Sequence, residues 1–288
     1  MRDLGQIFKK SIVLIGPIGV GKSAISGKLQ KEANMKVVSM DLLRHCPKNL
    51  ESIENHKRMC EEKMNSLRQK LEESDPKTIT ELEREIERLN NDIWVSGRQI
   101  EMRKLLPNVP NYEEMGFDGK VSDFLEKNYG AVGWHFYQKQ FENTLLEAVI
   151  EQLSEPVILD FGGGMAISLD RDYEKLDKIF KEKNAELYRK HFKLGKIGFS
   201  RVKKTLRKFK KVVYLKLPRD YKQLGGRASR AKLNDAFIST GQYNELATII
   251  VDTAGLFQQG KLDEKKLSAV ANTILGSRTS ATRKELAD

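Results

Sequence analysis

The string Gly16-Pro17-Ile18-Gly19-Val20-Gly21-Lys22-Ser23 limits what this chain can fold into more than any other stretch. It has the spacing GxxxxGKS, and each fixed position has its own physical reason. The glycines let successive backbone N–H groups turn inward around phosphate oxygens at a helix N-terminus, where the dipole favours negative charge. Lys22 has the reach for β- and γ-phosphates, and the Ser23 hydroxyl is placed to ligate magnesium. The context agrees: Ser11 to Ile15 (SIVLI) is a short β-branched apolar run before the loop, and Lys22 to Glu32 has helical character after it. Strand, glycine loop and helix in that order imply binding of a nucleoside triphosphate, ATP with Mg2+, through Gly16, Gly19, Gly21, Lys22, Ser23 and Ala24. The loop identifies the nucleotide and leaves the reaction open.

Four more apolar runs have the length and composition of buried strands: Met35 to Met40, Pro156 to Phe161, Lys211 to Leu217 and Ala247 to Val251. Helical patterns lie between most of them. Strands apolar on both faces, alternating with helices, predict an α/β fold: a parallel sheet covered on both sides.

One interval breaks the rhythm. From Leu50 to Leu106 there is no strand signal, and Ile79, Leu82, Ile86, Leu89, Ile93 and Ile100 fall at steps of three, four, three, four and seven. Ile53, Cys60, Met64, Leu67 and Leu71 follow the same seam upstream, interrupted by Lys57. Between the runs, Asp75 can cap a second helix with Pro76 in its first turn. This predicts an antiparallel helical hairpin at 50–106 inserted into a discontinuous domain of residues 1–49 and 107–276, followed by a polar tail at 277–288. The hairpin either extends the fold or serves as an arm for a partner or a second copy of the chain.

The acceptor side must decide the reaction. Asp41 follows the second predicted strand and Asp160 lies in the third, so a parallel sheet gathers both at the edge beside the loop. Asp160 is suited to the magnesium shell, and Asp41 to accepting a hydroxyl proton or holding an acceptor. Gly162, Gly163 and Gly164 follow the third strand, and three glycines there permit close backbone approach to a bound molecule.

With these residues in place, the chain resembles the shikimate kinase family. LIGPIGVGKSAISGKL is similar to that family's first strand, loop and helix, VVSMD to its second strand, and VILDFGGGMAI to the strand and glycine turn lining the shikimate pocket. VVYLKLP and QYNELATIIVDTAG resemble its fourth strand and its fifth strand with the preceding helix. The resemblance implies a doubly wound five-stranded P-loop NTPase-type sheet of order 2-3-1-4-5. It also implies a lid over ATP, and transfer of the γ-phosphoryl group to a small alcohol, shikimate or similar. Asp41 matches the position that holds the substrate's hydroxyls, with Ser39 where a second Asp is usual. The family's carboxylate-gripping Arg has no counterpart in Trp134 to Glu142 (WHFYQKQFE), where Lys139 is the nearest cation and the candidate to bind the substrate carboxylate, though without the bidentate geometry. Its second substrate Arg is also missing, and Arg227 and Arg230 in GGRASR remain as residues that close from the lid.

Charge bears on the rival readings. The net charge is +11, and residues 181–211 hold thirteen Lys or Arg against Glu182 and Glu186, so that segment alone is +11 (13 − 2) and the rest is neutral. It is a solvated helical face or a footprint for RNA, DNA or an acidic partner, with Phe192, Phe199 and Phe209 interleaved. The alternatives to a metabolite kinase are therefore a nucleic-acid-linked kinase or NTPase, and a regulatory ATP-binding protein with a docking arm. Cys46 and Cys60, without ligand-like spacing, argue against a zinc site or a disulfide framework and fit the cytoplasm. No run approaches the ~20 apolar residues of a membrane span.

Overall fold

A computed structural model of the chain describes residues 3–72, 74–191, 199–217, 228–258 and 261–276. Five strands, β1 (Ile12–Ile15), β2 (Lys36–Ser39), β3 (Val157–Asp160), β4 (Lys211–Lys216) and β5 (Ile249–Asp252), form one sheet of order β2-β3-β1-β4-β5. Each neighbouring pair is parallel. The parallel sheet is the one the apolar runs predict, with strand ends within two residues of them, and its order is the one the resemblance implies.

Alternation within the strands explains why both faces are covered. Val13 and Ile15 of β1, Leu159 of β3 and Tyr214 of β4 belong to one core layer, whereas Ile12, Leu14, Ile158 and Val213 belong to the other. The second layer is closed by α2 (Lys22–Ala33) and α12 (Glu264–Gly276), through Ile25, Leu29, Leu267 and Ile274. The first is closed mainly by α6 (Gly119–Gln152), α7 (Asp170–Lys183) and α9 (Phe199–Leu206), through Phe136, Phe141, Phe180 and Val202. Burying a Val, Leu, Ile or Phe side chain contributes about 1.5–3 kcal/mol, which favours runs apolar at every position. A two-residue ladder of β6 (Phe257–Gln258) and β7 (Lys261–Leu262) follows β5 and has no counterpart in the sequence reading.

The helical hairpin is α4 (Leu50–Leu71) and α5 (Pro76–Leu105). Asp75 starts α5 as expected: its carboxylate accepts from the Thr78 N–H at 3.2 Å and from the Thr78 hydroxyl at 2.7 Å. The outer half has its own small core of Cys60, Leu67 and Leu89, flanked by Met64, Leu82, Ile86 and Ile93. The inner half joins the main core through Ile53, Met102 and Leu105. The hairpin is therefore anchored at its base against the sheet and self-supporting further out. Among the described residues no helix is long and apolar enough to cross a membrane.

Candidate functional site

The loop between β1 and α2 ends at Gly21, whose φ of +89° is left-handed. A Cβ there would also lie 2.6 Å from Leu256 Cδ2, so only glycine permits this turn and this close packing. Lys22 opens α2 with its side chain folded back: the ammonium donates to the carbonyls of Gly16 at 3.0 Å and Pro17 at 2.8 Å. Burial pulls its pKa below the usual lysine value, opposed by the charges of Asp160 and Asp41. A buried cation beside a glycine loop at a helix N-terminus is suited to a polyphosphate.

Asp160 ends β3 and stands beside that cation. The Ser26 hydroxyl donates to Asp160 Oδ2 at 3.2 Å, and Ser23 also acts on the carboxylate, lowering its pKa. Burial pushes the acid up to about 6, against the opposing pull of Lys22 and the two serines, and Asp41 raises it further. The donor set, a serine hydroxyl and an incompletely compensated carboxylate, fits a hard divalent cation. Among the described residues no three His, Cys, Asp or Glu cluster as ligands. Ser23 and Asp160 could thus hold Mg2+ together with phosphate oxygens and water, as that ion prefers.

The raised pKa of Asp160 has a measurable consequence. Folding favours the neutral acid, so this contribution to stability is full below the unfolded value of 3.8 and is lost as pH rises to about 6. Asp160→Asn mimics the neutral form. In metal-free, nucleotide-free buffer it is expected to raise stability near neutral pH by about 2–3 kcal/mol and to flatten the acid-side slope, as read by denaturant unfolding across that range.

The three glycines after β3 are packed against three different neighbours. A Cβ on Gly162 would lie 2.2 Å from Asp41 Oδ1, and one on Gly163 would lie 2.2 Å from Ile18 Cγ1 and 2.9 Å from Ile18 N. Gly164, at φ +86°, faces inward, where a Cβ would meet Phe237 at 2.3 Å. Gly162 and Gly163 thus bring Asp41, in the short helix α3 (Met40–Leu43), and the phosphate loop against one turn.

Behind the turn is a buried polar brace. His135 Nε2 donates to the Gly164 carbonyl at 3.2 Å, which leaves Nδ1 to accept from the Tyr173 hydroxyl. Burial, with Lys139 nearby, keeps His135 well below its usual pKa and therefore neutral. Gln242, in α11 (Gln242–Leu246), holds Ser168 by both its N–H and its carbonyl, at 2.8 Å each.

Lys139 requires a correction. It is only 1 % exposed, pairs with Glu142 at 2.7 Å, and donates to the Met165 carbonyl. It supports the turn from below and is not available to grip a substrate carboxylate. The cation beside Asp41 is instead Arg44, one helical turn on, with Nη2 at 3.2 Å from Asp41 Oδ1 and Nη1 donating to Gln138 at 3.3 Å. Its charge is disfavoured by burial but secured by Asp41, Tyr112 and Glu142, which together raise its pKa. The i, i+3 spacing of Asp41 and Arg44 was available as a signal once α3 was recognised as a helix.

Of the two lid arginines, Arg227 lies outside the described residues, and Arg230 is described only as a position in the first turn of α10 (Ala228–Ser239). That helix does contact the loop. Asn234 accepts from the Ile18 N–H at 2.9 Å and donates to the Ile18 carbonyl at 3.0 Å, a two-sided clamp. Asn234→Ala, which leaves both groups unpaired, is expected to weaken nucleotide binding about tenfold, with Asn234→Asp intermediate because it keeps the acceptor; calorimetric titration measures both. On the other side of α2, Trp94, Arg98 and Met102 of α5 line a small crevice with Ser23, Ser26, Ser39 and Asp160. The hairpin therefore borders the candidate metal site, a neighbourhood invisible in the linear sequence.

A family model described as an AAA domain matches residues 12–100, from β1 through the phosphate loop, α2 and β2 into the hairpin. No curated protein matches the chain. The match over this stretch, the phosphate loop and the parallel sheet of order 2-3-1-4-5 together give an α/β fold of P-loop NTPase type.

Proposed function

We propose that the chain is an ATP-dependent phosphotransferase that moves the γ-phosphoryl group to a hydroxyl of a small acceptor. The observation supporting this is the shared turn: Asp41 packs on Gly162 while the phosphate loop packs on Gly163. An acceptor held by Asp41 would therefore lie next to phosphates held by Lys22 and the loop amides. A switch or motor needs no acceptor-holding group beside the phosphates.

In this reading the acceptor hydroxyl oxygen forms a bond to the γ-phosphorus, the bond from that phosphorus to the β,γ-bridging oxygen breaks, and ADP leaves. Asp41 orients the hydroxyl and takes its proton. Lys22 and the loop N–H groups steady the phosphates, and Arg227 or Arg230 would add positive charge from the lid. Magnesium held by Ser23 and Asp160 would neutralise phosphate charge. Arg44 supplies the cation that Lys139 does not, so a small hydroxylated acid, shikimate or a relative, is the favoured acceptor.

The test is ADP release coupled to a spectrophotometric readout, with Mg-ATP alone and then with shikimate, other hydroxylated acids, sugars and nucleosides. Acceptor-dependent release with a phosphorylated product by mass spectrometry is expected. Release at the same rate with no acceptor would sink the proposal and point to hydrolysis.

A further inference from the structure

The end of the basic segment that precedes β4, residues 199–211, lies at the sheet edge away from the chemistry just described. β1 and β4 pair with Ile12 opposite Lys211, so the residues that precede the two strands converge on the edge where the strands begin. The phosphate loop leaves the opposite edge, beyond a four-residue strand roughly 13 Å long. Preceding β1 is α1 (Leu4–Lys10), which ends in exposed Lys9 and Lys10; preceding β4 are exposed Lys204, Arg207, Lys208 and Lys210. Phe8 and Phe209 join the two groups with ring centroids 5.1 Å apart, and Lys208 Nζ lies 6.0 Å from the centre of the Phe8 ring.

Part of the charge in the segment is already used inside the fold. Arg201 makes two bonds to Glu147, Lys203 pairs with Glu245, and Lys211 donates to the carbonyls of Ile274 and Leu275 at the end of α12. The six residues named above enter no ion pair among the described residues. The cluster combines two chain segments, one of which is not part of the basic run in the sequence.

We infer that this edge is a docking surface for the phosphate backbone of a nucleic acid, separate from the nucleotide site. Six exposed cations that enter no ion pair among the described residues match a polyanion. Phe209 is 3 % exposed and Phe8 8 %, so neither can stack on bases or enter a bilayer. That leaves contacts to phosphates, which give little sequence preference, and it disfavours a membrane, where apolar insertion is needed for firm attachment.

The test is fluorescence anisotropy with a labelled single-stranded RNA of thirty nucleotides, a DNA duplex of thirty base pairs, and phosphatidylserine vesicles as the competing polyanion. Binding to RNA, DNA or both is expected, with log K falling against log salt at a slope of about −3 to −5. The variant K9E/K10E/R207E/K208E should lose at least about tenfold in affinity and several units of slope, while retaining Mg-ATP binding. The same charge change on the hairpin, R58E/R68E/R84E/R88E, should have a much smaller effect. Retained Mg-ATP binding also establishes that the variant is folded, and milder K9Q/K10Q should move affinity in the same direction. No binding at low salt, a wild-type slope shallower than about −1, equal losses in the edge and hairpin variants, or preference for the vesicles would each overturn the inference.

Discussion

Replacing Lys22 by alanine is expected to lower acceptor-dependent turnover by about 10²–10³-fold, the usual cost of removing one preorganised charge from the developing transition state. The ammonium is buried at the start of α2 and now rests on the carbonyls of Gly16 and Pro17. Phosphate oxygens are better partners for it than carbonyls, because both members of the bond are then charged. Loss of the side chain leaves those carbonyls without their donor, at about 1–3 kcal/mol, but also removes a charge that burial disfavours. Stability should consequently change little while turnover collapses. Lys22→Met, which keeps the apolar stem, should behave like Lys22→Ala in turnover. Steady-state kinetics alongside thermal melting separates the two effects, and a loss of turnover that follows loss of folded protein would contradict this account.

Gly163→Ala is expected to damage the loop and the acceptor side together. The added methyl would stand 2.2 Å from Ile18 Cγ1 and 2.9 Å from Ile18 Cα and N. The Ile18 side chain could rotate, but its backbone is fixed by Asn234 on both its N–H and its carbonyl. The strain must therefore be relieved by moving the phosphate loop or the turn, and overpacking of this kind costs about 1–3 kcal/mol. For a chain of this length the melting temperature should fall by several degrees, and nucleotide affinity should fall with it. Gly97→Ala is the matched control: that glycine lies inside α5 with nothing within 4 Å of the added carbon. It should be neutral or stabilising by up to about 1 kcal/mol, from helix propensity alone.

Legibility followed the range of the interactions. The phosphate loop, the five strands, the Asp75 cap and the hairpin seam are set by neighbours a few residues apart, and all of them could be read from spacing. The role of Lys139 is not legible in the sequence, because its type and position along the chain do not report that α6 turns it beneath the glycine turn, toward Glu142. Arg44 was overlooked because α3 is only four residues long and has no periodicity to display. Asn234 reaches Ile18 across more than two hundred residues, a distance over which no local pattern carries information.

The sequence by itself determined that a glycine loop with phosphate-binding spacing follows the first strand, that two carboxylates lie at the same sheet edge, and that a helical hairpin interrupts the chain after the second strand. Those features follow from glycine conformation, strand alternation and heptad spacing, which are local. Tertiary structure alone decided which cation stands beside Asp41, what fixes the phosphate loop from behind, and where the surplus positive charge gathers. These depend on burial and on contacts between distant segments: burial committed Lys139 to Glu142, and pairing of β1 with β4 brought Lys9 and Lys10 alongside Lys208 and Lys210.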